Sequence, residues 1–165
     1  MAEFIGNEYT YLFPGELIIT MECMKICTVL GSCVSVCLFD PVRHIAGINH
    51  FLLPYNKSNS DAHFKYGDDS LSHLLEHMFD MGASKGNMTA EIYGGSSMFS
   101  DTINCYNIGQ QNQEIAIQFI EKQGLYVRKA ETGGSLGRKI VFDTNTGIIN
   151  CYMLRGHSKQ PTARL

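Results

Sequence analysis

Residues 28–54 read TVLGSCVSVCLFDPVRHIAGINHFLLP, and this stretch decides how the chain folds around its most reactive side chains. Apolar residues alternate with smaller ones across residues 34–38, which predicts a β-strand, and the β-branched apolar run 45–53 predicts a second strand. Between them, aspartate followed by proline favours the first two positions of a turn. The sequence therefore predicts a β-hairpin that turns at residues 40–43.

The register of this hairpin decides which side chains meet. A two-residue loop, Pro41 and Val42, puts Asp40 opposite Arg43 and Cys33 opposite His50. Directly opposed residues of an antiparallel pair project to one face, with Cβ atoms roughly 4.5–5.5 Å apart. A symmetric four-residue loop is expected to keep this pairing, whereas an odd-length loop or a bulge would move His50 to the other face. We therefore expect a thiol beside an imidazole.

This pair has the chemistry of a nucleophile and its base. A free cysteine is mostly protonated at neutral pH, and an adjacent histidine that takes the proton produces a strong nucleophile. Gly31 and Ser32 precede Cys33, and a glycine turn leaves backbone N–H groups to bind an oxyanion. Thr28 is the nearest hydroxyl that could orient the His50 ring. A cysteine on a strand is also a common small core residue, so that interpretation stays open.

Several motifs in the same order make the chain resemble the CheD family, the chemoreceptor glutamine deamidases of bacterial chemotaxis. The resemblance covers roughly positions 10 to 155. The motifs are Thr28-x-Leu-Gly31-Ser32-Cys33-Val34, Leu38-x-Asp40, Gly47-x-x-His50-Phe51-x-Leu53-Pro54, Lys65-Tyr66-x-Asp68, Gly94-Gly95-x-x-Met98-Phe99, Asn107-Ile108-Gly109, Glu131-Thr132-Gly133-Gly134 and Arg138.

The resemblance implies a set of site residues and an activity. The catalytic cysteine, histidine and threonine of the family fall on Cys33, His50 and Thr28, although some members have one more residue between threonine and cysteine. The implied activity is conversion of receptor glutamines to glutamate with release of ammonia, through a thioester and without a cofactor or a metal. The implied substrates are the cytoplasmic domains of methyl-accepting chemoreceptors. The family also pairs with the phosphatase CheC in some bacteria, so a regulatory binding module is the alternative function.

The predicted fold class is α+β, because strands outnumber helices and several connections are hairpins. The resemblance sharpens this to a mixed or antiparallel two-sheet sandwich with helices packed outside. The implied layer order is α/β/β/α, as in the cysteine hydrolases related to the cytotoxic necrotising factor catalytic domains.

Composition limits the classes of function. The chain has 165 residues, which suits one domain with a core at about 10–155 and a polar tail at 156–165. Its formal charge is −3 and no basic block occurs, which argues against nucleic-acid binding. The sequence has no apolar run long enough to span a membrane and no export signal at its start, so we expect a cytoplasmic protein without membrane insertion.

The six cysteines are expected to be reduced, because disulfide frameworks belong to short secreted chains. Apart from Cys33, they are predicted to be buried or semi-buried core residues. These are Cys23, Cys27, Cys37, Cys105 and Cys151.

A helix is predicted from a cap at Asp68 or Asp69 to about Met81. It contains His73-Leu-Leu-Glu76-His77, which fits the His-x-x-Glu-His pattern of inverted zinc peptidases. At about 100° per residue, these polar residues lie opposite the leucine stripe and face solvent, whereas zinc ligands should face a cleft. A zinc peptidase is therefore a remote alternative.

The remaining pattern predicts a helix over 110–123, strands at 17–20, 89–93 and 125–128, and a hairpin of 139–142 with 147–154. The Gly94-Gly95-Ser96-Ser97 loop is either a tight turn or a group of N–H donors near the site.

Overall fold

The computed structural model describes residues 9–97 and 107–156. The motif residues Met98 and Phe99, the cysteine at 105 and the tail from residue 157 lie outside the described residues.

Within residues 9–97 and 107–156, nine strands form two mixed sheets. The five-stranded sheet has the order β2-β5-β4-β6-β7, and the four-stranded sheet has the order β1-β3-β8-β9. Pairs β1–β3 and β6–β7 are parallel, and the others are antiparallel. The strands are β1 Tyr9–Tyr11, β2 Leu17–Thr20, β3 Lys25–Leu30, β4 Val34–Asp40, β5 Ile45–Asn49, β6 Thr89–Gly94, β7 Tyr126–Thr132, β8 Arg138–Asp143 and β9 Ile149–Met153.

Two helices cover one face of the five-stranded sheet. Helix α1 is Gly67–Asp80 and helix α2 is Ile108–Lys122. Their apolar stripes pack on the side chains that β4, β5 and β6 direct to that face. The opposite face of the same sheet packs on the four-stranded sheet through a second core. The α+β class and the two-sheet sandwich are confirmed.

The predicted α/β/β/α layer order is not what residues 9–97 and 107–156 adopt. Both of their helices lie on the same sheet, which gives the layer order α/β/β. The outer face of the four-stranded sheet carries exposed side chains such as Tyr9, Val29 and Tyr152. The sequence predicts the two amphipathic helices but not which sheet each one covers, because either sheet offers an apolar face.

The predicted hairpin forms, but its register is wrong by two residues. Asp40 pairs with Ile45, and the ladder continues to a bridge between Val34 and Phe51, so the loop is the four residues 41–44. The Asp40 carboxylate accepts hydrogen bonds from the N–H groups of residues 42 and 43 at 2.9 and 3.0 Å. His44 adopts a φ of +53° and completes the longer loop. Cys33 therefore does not lie directly opposite His50.

A shift of two residues leaves each side chain on its predicted face, since strand side chains alternate with a period of two. Cys33 and Cys37 face the core between the sheets, and so do Ala46 and Ile48, which share the alternation of His50. The expectation that the thiol and the imidazole share one face therefore survives the wrong register.

Two further expectations need correction. Helix α1 starts at Gly67 after Tyr66, and neither Asp68 nor Asp69 makes a side-chain cap, because both aspartates lie within the first helical turn. Cys23 is exposed instead of buried, and its thiol donates to the Asn145 side chain at 3.2 Å. Within the described ranges, neither helix has the length and apolar character needed to cross a bilayer.

Candidate active site

A hydrogen bond between the two sheets joins Thr28 to His50. The Thr28 hydroxyl oxygen lies 2.8 Å from Nδ1 of His50, and both side chains are buried. Thr28 lies in β3 of the four-stranded sheet, whereas His50 directly follows β5 of the five-stranded sheet. The structure therefore brings together two of the predicted site residues from different layers.

A backbone carbonyl assigns the proton on the His50 ring. The Thr28 hydroxyl donates to the carbonyl oxygen of Leu12 at 2.7 Å, and a hydroxyl has one hydrogen to give. Nδ1 of His50 must then be the donor to the Thr28 oxygen, which leaves Nε2 unprotonated in the neutral ring. Nε2 is buried and has no hydrogen-bond partner among the described residues. It is a base with its lone pair unused.

Burial sets the charge of the ring and of the thiol. Loss of solvation lowers the pKa of His50 to about 4, and the Leu12 carbonyl opposes that change. Burial likewise raises the pKa of the Cys33 thiol, and the N–H of its own backbone opposes that change. At neutral pH both groups are therefore uncharged, so the resting state is a thiol and a neutral imidazole.

Cys33 lies at the end of the turn that joins β3 to β4, beyond Gly31 and Ser32. All three residues are half-buried, whereas the His50 side chain is buried. The turn hydrogen-bonds to the loop that follows β6. The N–H groups of Gly95 and Ser96 donate to the carbonyl oxygens of Cys33 and Gly31 at 2.8 and 2.9 Å.

These bonds decide between the two interpretations of the loop after β6. The N–H groups of Gly95 and Ser96 already donate to protein carbonyls, and that of Ser97 donates to Gly134. These three N–H groups are therefore not available to bind an anion, and the first two hold the turn before Cys33. Gly94 has a φ of +107°, and a Cβ there would collide with the Cys33 carbonyl oxygen. The loop is a tight turn that fixes the backbone of Cys33.

The backbone of His50 leaves the β4–β5 ladder and binds the loop before β2. Its N–H donates to Glu16 at 3.0 Å, and its carbonyl accepts from Gly15 at 2.8 Å. The Asn49 side chain fills the resulting gap, since its oxygen accepts from Val36 N–H at 2.8 Å and its amide donates to Ser70 at 3.0 Å. His50 is thus held by backbone contacts on one side and an asparagine on the other.

Asn112 of α2 is a site residue that the sequence prediction missed. Its amide donates to the carbonyl oxygens of Ser32 at 3.0 Å and Leu52 at 2.8 Å, and the side chain is fully buried. A signal was present, because Asn112 precedes Ile115 and Ala116 by three and four residues. A polar residue on the buried stripe of a helix requires an internal partner.

Residues 52–152 match a family model described as CheD chemotactic sensory transduction. The chain belongs to the CheD family. The matched segment begins two residues after His50, so this assignment is independent of Thr28, Cys33 and His50.

Relatives of this CheD chain match nearly all of it. The probable chemoreceptor glutamine deamidase CheD of Trichlorobacter lovleyi is 38% identical over 150 residues, which are 91% of this chain and 91% of the relative. The probable chemoreceptor glutamine deamidase CheD 2 of Geobacter sulfurreducens is 38% identical, and the alignment covers 86% of this chain and 87% of the relative. CheD 1 of Anaeromyxobacter dehalogenans is 33% identical, with 86% and 82% covered.

A crystal structure of the Bacillus licheniformis hypothetical protein YfiH aligns with a TM-score of 0.44 and 14% identity. The alignment covers 73% of this CheD chain and 51% of the YfiH chain. Similarity at this level supports no argument about the fold or the function of CheD.

The second histidine motif of this CheD chain does not converge on a site. His73 and His77 are neighbours on α1 with ring centroids 5.9 Å apart, but Glu76 and His77 are exposed. In the part of the chain that the structure describes, no three histidine, cysteine, aspartate or glutamate side chains are grouped to hold a metal ion. His73 is half-buried with its ring centroid 5.1 Å from that of Phe64, so the motif does not present its three polar side chains to one cleft, as a zinc peptidase would need.

Proposed function

We propose that this CheD chain is a protein-glutamine deamidase that converts glutamine side chains of chemoreceptors to glutamate and releases ammonia. The observation that carries the proposal is the buried Thr28–His50 hydrogen bond, which leaves Nε2 of His50 unprotonated and without a partner among the described residues. Cys33 packs against the core between the two sheets that this bond joins. The relatives named as probable chemoreceptor glutamine deamidases support the choice of substrate. A thiol and an imidazole alone would suit any acyl transfer to sulfur.

The reaction begins with two neutral groups. Nε2 of His50 takes the Cys33 proton as the sulfur attacks the carboxamide carbon of the substrate glutamine, so the S–C bond forms and the carbonyl electrons move to oxygen. Because burial disfavours both the thiolate and the imidazolium, proton transfer accompanies attack instead of preceding it. Thr28 keeps the ring in the tautomer that accepts this proton.

Backbone N–H groups at Ser32 and Cys33 are proposed to bind the oxyanion, with Gly31 providing the turn that presents them. The backbone N–H of Cys33 already faces its own sulfur, and the oxyanion forms on the substrate oxygen bound to the carbon that this sulfur attacks. The bonds from Gly95 and Ser96 hold this turn fixed, so little reorganisation is needed during the reaction.

The second half of the reaction restores the enzyme. The tetrahedral intermediate collapses, the C–N bond breaks, and the His50 imidazolium gives its proton to the departing ammonia. Water then attacks the thioester while His50 takes one of its protons. Breaking of the C–S bond releases glutamate, and the thiolate recovers a proton from His50. No cofactor takes part in this scheme.

Finer features of the family are part of the same proposal. We place the protein in the cytoplasm, since the proposed substrates are the cytoplasmic domains of methyl-accepting chemoreceptors. We also propose that the α/β/β sandwich is related to the cysteine hydrolases that include the cytotoxic necrotising factor catalytic domains. Pairing with a CheC-type phosphatase is the alternative role, in which binding rather than chemistry regulates signalling.

The test is to incubate the protein with chemoreceptor cytoplasmic fragments while measuring ammonia and the mass of receptor peptides. We expect ammonia and new glutamate residues in equal amounts with wild-type protein, and neither with Cys33→Ala. Absence of conversion by folded wild-type protein, across several receptors, would contradict the enzyme. Unchanged chemotactic signalling with Cys33→Ala would favour the binding module.

A further inference from the structure

The end of the β4–β5 hairpin is closed by a side chain instead of by backbone pairing. Val34 and Phe51 exchange two backbone hydrogen bonds at 3.1 and 3.0 Å. Beyond this pair the two strands are joined by the amide of Asn112, which donates to Ser32 and Leu52. Ser32 directly precedes Cys33, and Leu52 follows His50 by two residues.

We propose that Asn112 is a positioning residue that sets the separation between the Cys33 thiol and the His50 ring. This inference rests on the proposed function, because it assumes that the two groups react together. Asn112 acts only through the backbone on either side of the pair. The amide nitrogen has two hydrogens, and each is used on one strand.

The position of the amide is itself well fixed. Helix α2 docks through Gly109, where a Cβ would collide with Ser96 O and lie 2.6 Å from Gly95 O. Ile115 and Ala116 anchor the next turn in the core. The side chain of Asn107 caps the helix by accepting from Gln110 N–H at 3.0 Å. These three contacts fix helix α2, and the Asn112 amide on that helix therefore moves little relative to the two carbonyls that it binds.

Removal of the amide leaves the carbonyls of the half-buried residues Ser32 and Leu52 without a donor. Such groups seek new partners or water, and the Ser32 and Leu52 strand ends then separate. Proton transfer from sulfur to nitrogen requires hydrogen-bond reach, so a small displacement of Cys33 reduces the help that His50 gives. A side chain with one donor, such as serine, would hold one strand and release the other.

The rate of Cys33 alkylation by iodoacetamide at pH 7 tests this without any receptor. Peptide mass spectrometry in a Cys23→Ser background reports the Cys33 site, because Cys23 is also exposed. We expect His50→Gln to slow the reaction by about tenfold or more, since it removes a general base. Asn112→Ala should slow it by about 5- to 10-fold, the equivalent of one lost hydrogen bond. The double variant should be no slower than His50→Gln.

The pH profile separates positioning from loss of structure. As the pH rises toward the pKa of the thiol, hydroxide can remove the Cys33 proton in place of the imidazole. The alkylation rates of Asn112→Ala and His50→Gln should therefore both approach the wild-type rate. Ile120→Val is the matched control, because it removes one methyl group from the buried side of α2 without touching either carbonyl. It should leave the alkylation rate within about twofold of wild type.

The outcomes distinguish this inference from the proposed function. If His50→Gln does not slow alkylation, the thiol–imidazole pair itself is wrong. If His50→Gln slows it but folded Asn112→Ala does not, or if the two effects multiply in the double variant, the positioning role is wrong. Should Asn112→Ala fail to fold, Asn112→Ser should give an intermediate rate, and failure of both to fold would make Asn112 a purely structural residue and overturn the proposal.

Discussion

Two histidine regions of this chain look chemically similar in sequence and differ completely in structure. His50 is 1% exposed and bonds to a hydroxyl that comes from another sheet. His73 and His77 follow each other on a single helix, and the glutamate between them is exposed. A motif within one helix fixes only how side chains are spaced along its surface, whereas the His50 region gathers groups from several segments that are separated in sequence. Convergence of separate elements, not local spacing, distinguishes the candidate site.

The largest effect should come from the sulfur. Cys33→Ala removes the nucleophile, so we expect receptor deamidation to fall by at least about 10³-fold. His73→Ala, at the other histidine region, should leave the rate within about twofold, as expected of a surface substitution. Ammonia release from a receptor fragment measures both.

The contrast between the two histidine regions would be wrong if Cys33→Ala and His73→Ala lost similar deamidation activity. Cys37→Ala is a useful second control, because Cys37 is a buried cysteine on β4, the strand that directly follows Cys33, and it faces the same core. It should reduce stability more than it reduces turnover.

The next effect is on stability as a function of pH. Because the pKa of His50 is about 4 in the folded chain and about 6.5 when unfolded, the unfolded chain binds more protons between those values. Stability is therefore fully present above about pH 6.5 and falls as the pH drops toward 4, by up to about 3 kcal/mol. Urea unfolding at a series of pH values measures this slope.

Substitution tests whether the His50 ring causes this dependence of stability on pH. His50→Gln should remove this part of the pH dependence, while His77→Gln on the exposed helix face should keep it. An unchanged slope in His50→Gln would mean that the buried neutral ring is not its origin.

A smaller effect is expected from the group that orients the ring. Thr28→Val keeps the shape but leaves Leu12 O and His50 Nδ1 without the hydroxyl, which should lower kcat by roughly tenfold and stability by about 1–3 kcal/mol. Thr28→Ser retains the oxygen and should recover most of kcat. Steady-state kinetics with thermal unfolding measures both quantities, and full activity in Thr28→Val would remove threonine from the site.

The smallest effect concerns metal at the second histidine region. Dialysis against EDTA should change neither the deamidation rate nor the melting temperature, because Glu76 and His77 are exposed while His73 packs against Phe64. Stoichiometric zinc in the purified protein that is lost on His73→Ala would reverse this interpretation.

The sequence predicts well what local periodicity determines. The alternation in β4 and the leucine stripe of α1 both appear in the structure close to their predicted bounds. The hairpin register was wrong because it depends on the Asp40 carboxylate and the left-handed φ of His44, which residue preferences alone do not settle. The layer of each helix was unpredictable, because two sheets with apolar faces compete for it.

The sequence proposes the members of the candidate site but not the contacts that support them. Cys33, His50 and Thr28 were identified by residue type and resemblance, and the two-residue error in register left their faces unchanged. The contacts that hold them come from distant segments, such as Asn112 on α2 and Gly95 after β6. Contacts of this kind depend on how layers dock, and a single sequence contains little information about docking.

The seam between the two sheets has a consequence for when the chain can act. The hydroxyl is contributed by one layer and the ring by the other, so neither layer contains an oriented base by itself. A nascent chain, a proteolytic fragment or a partly melted form would possess the same cysteine without the oriented ring. Under the proposed mechanism, glutamine deamidation therefore begins only when the two sheets have docked.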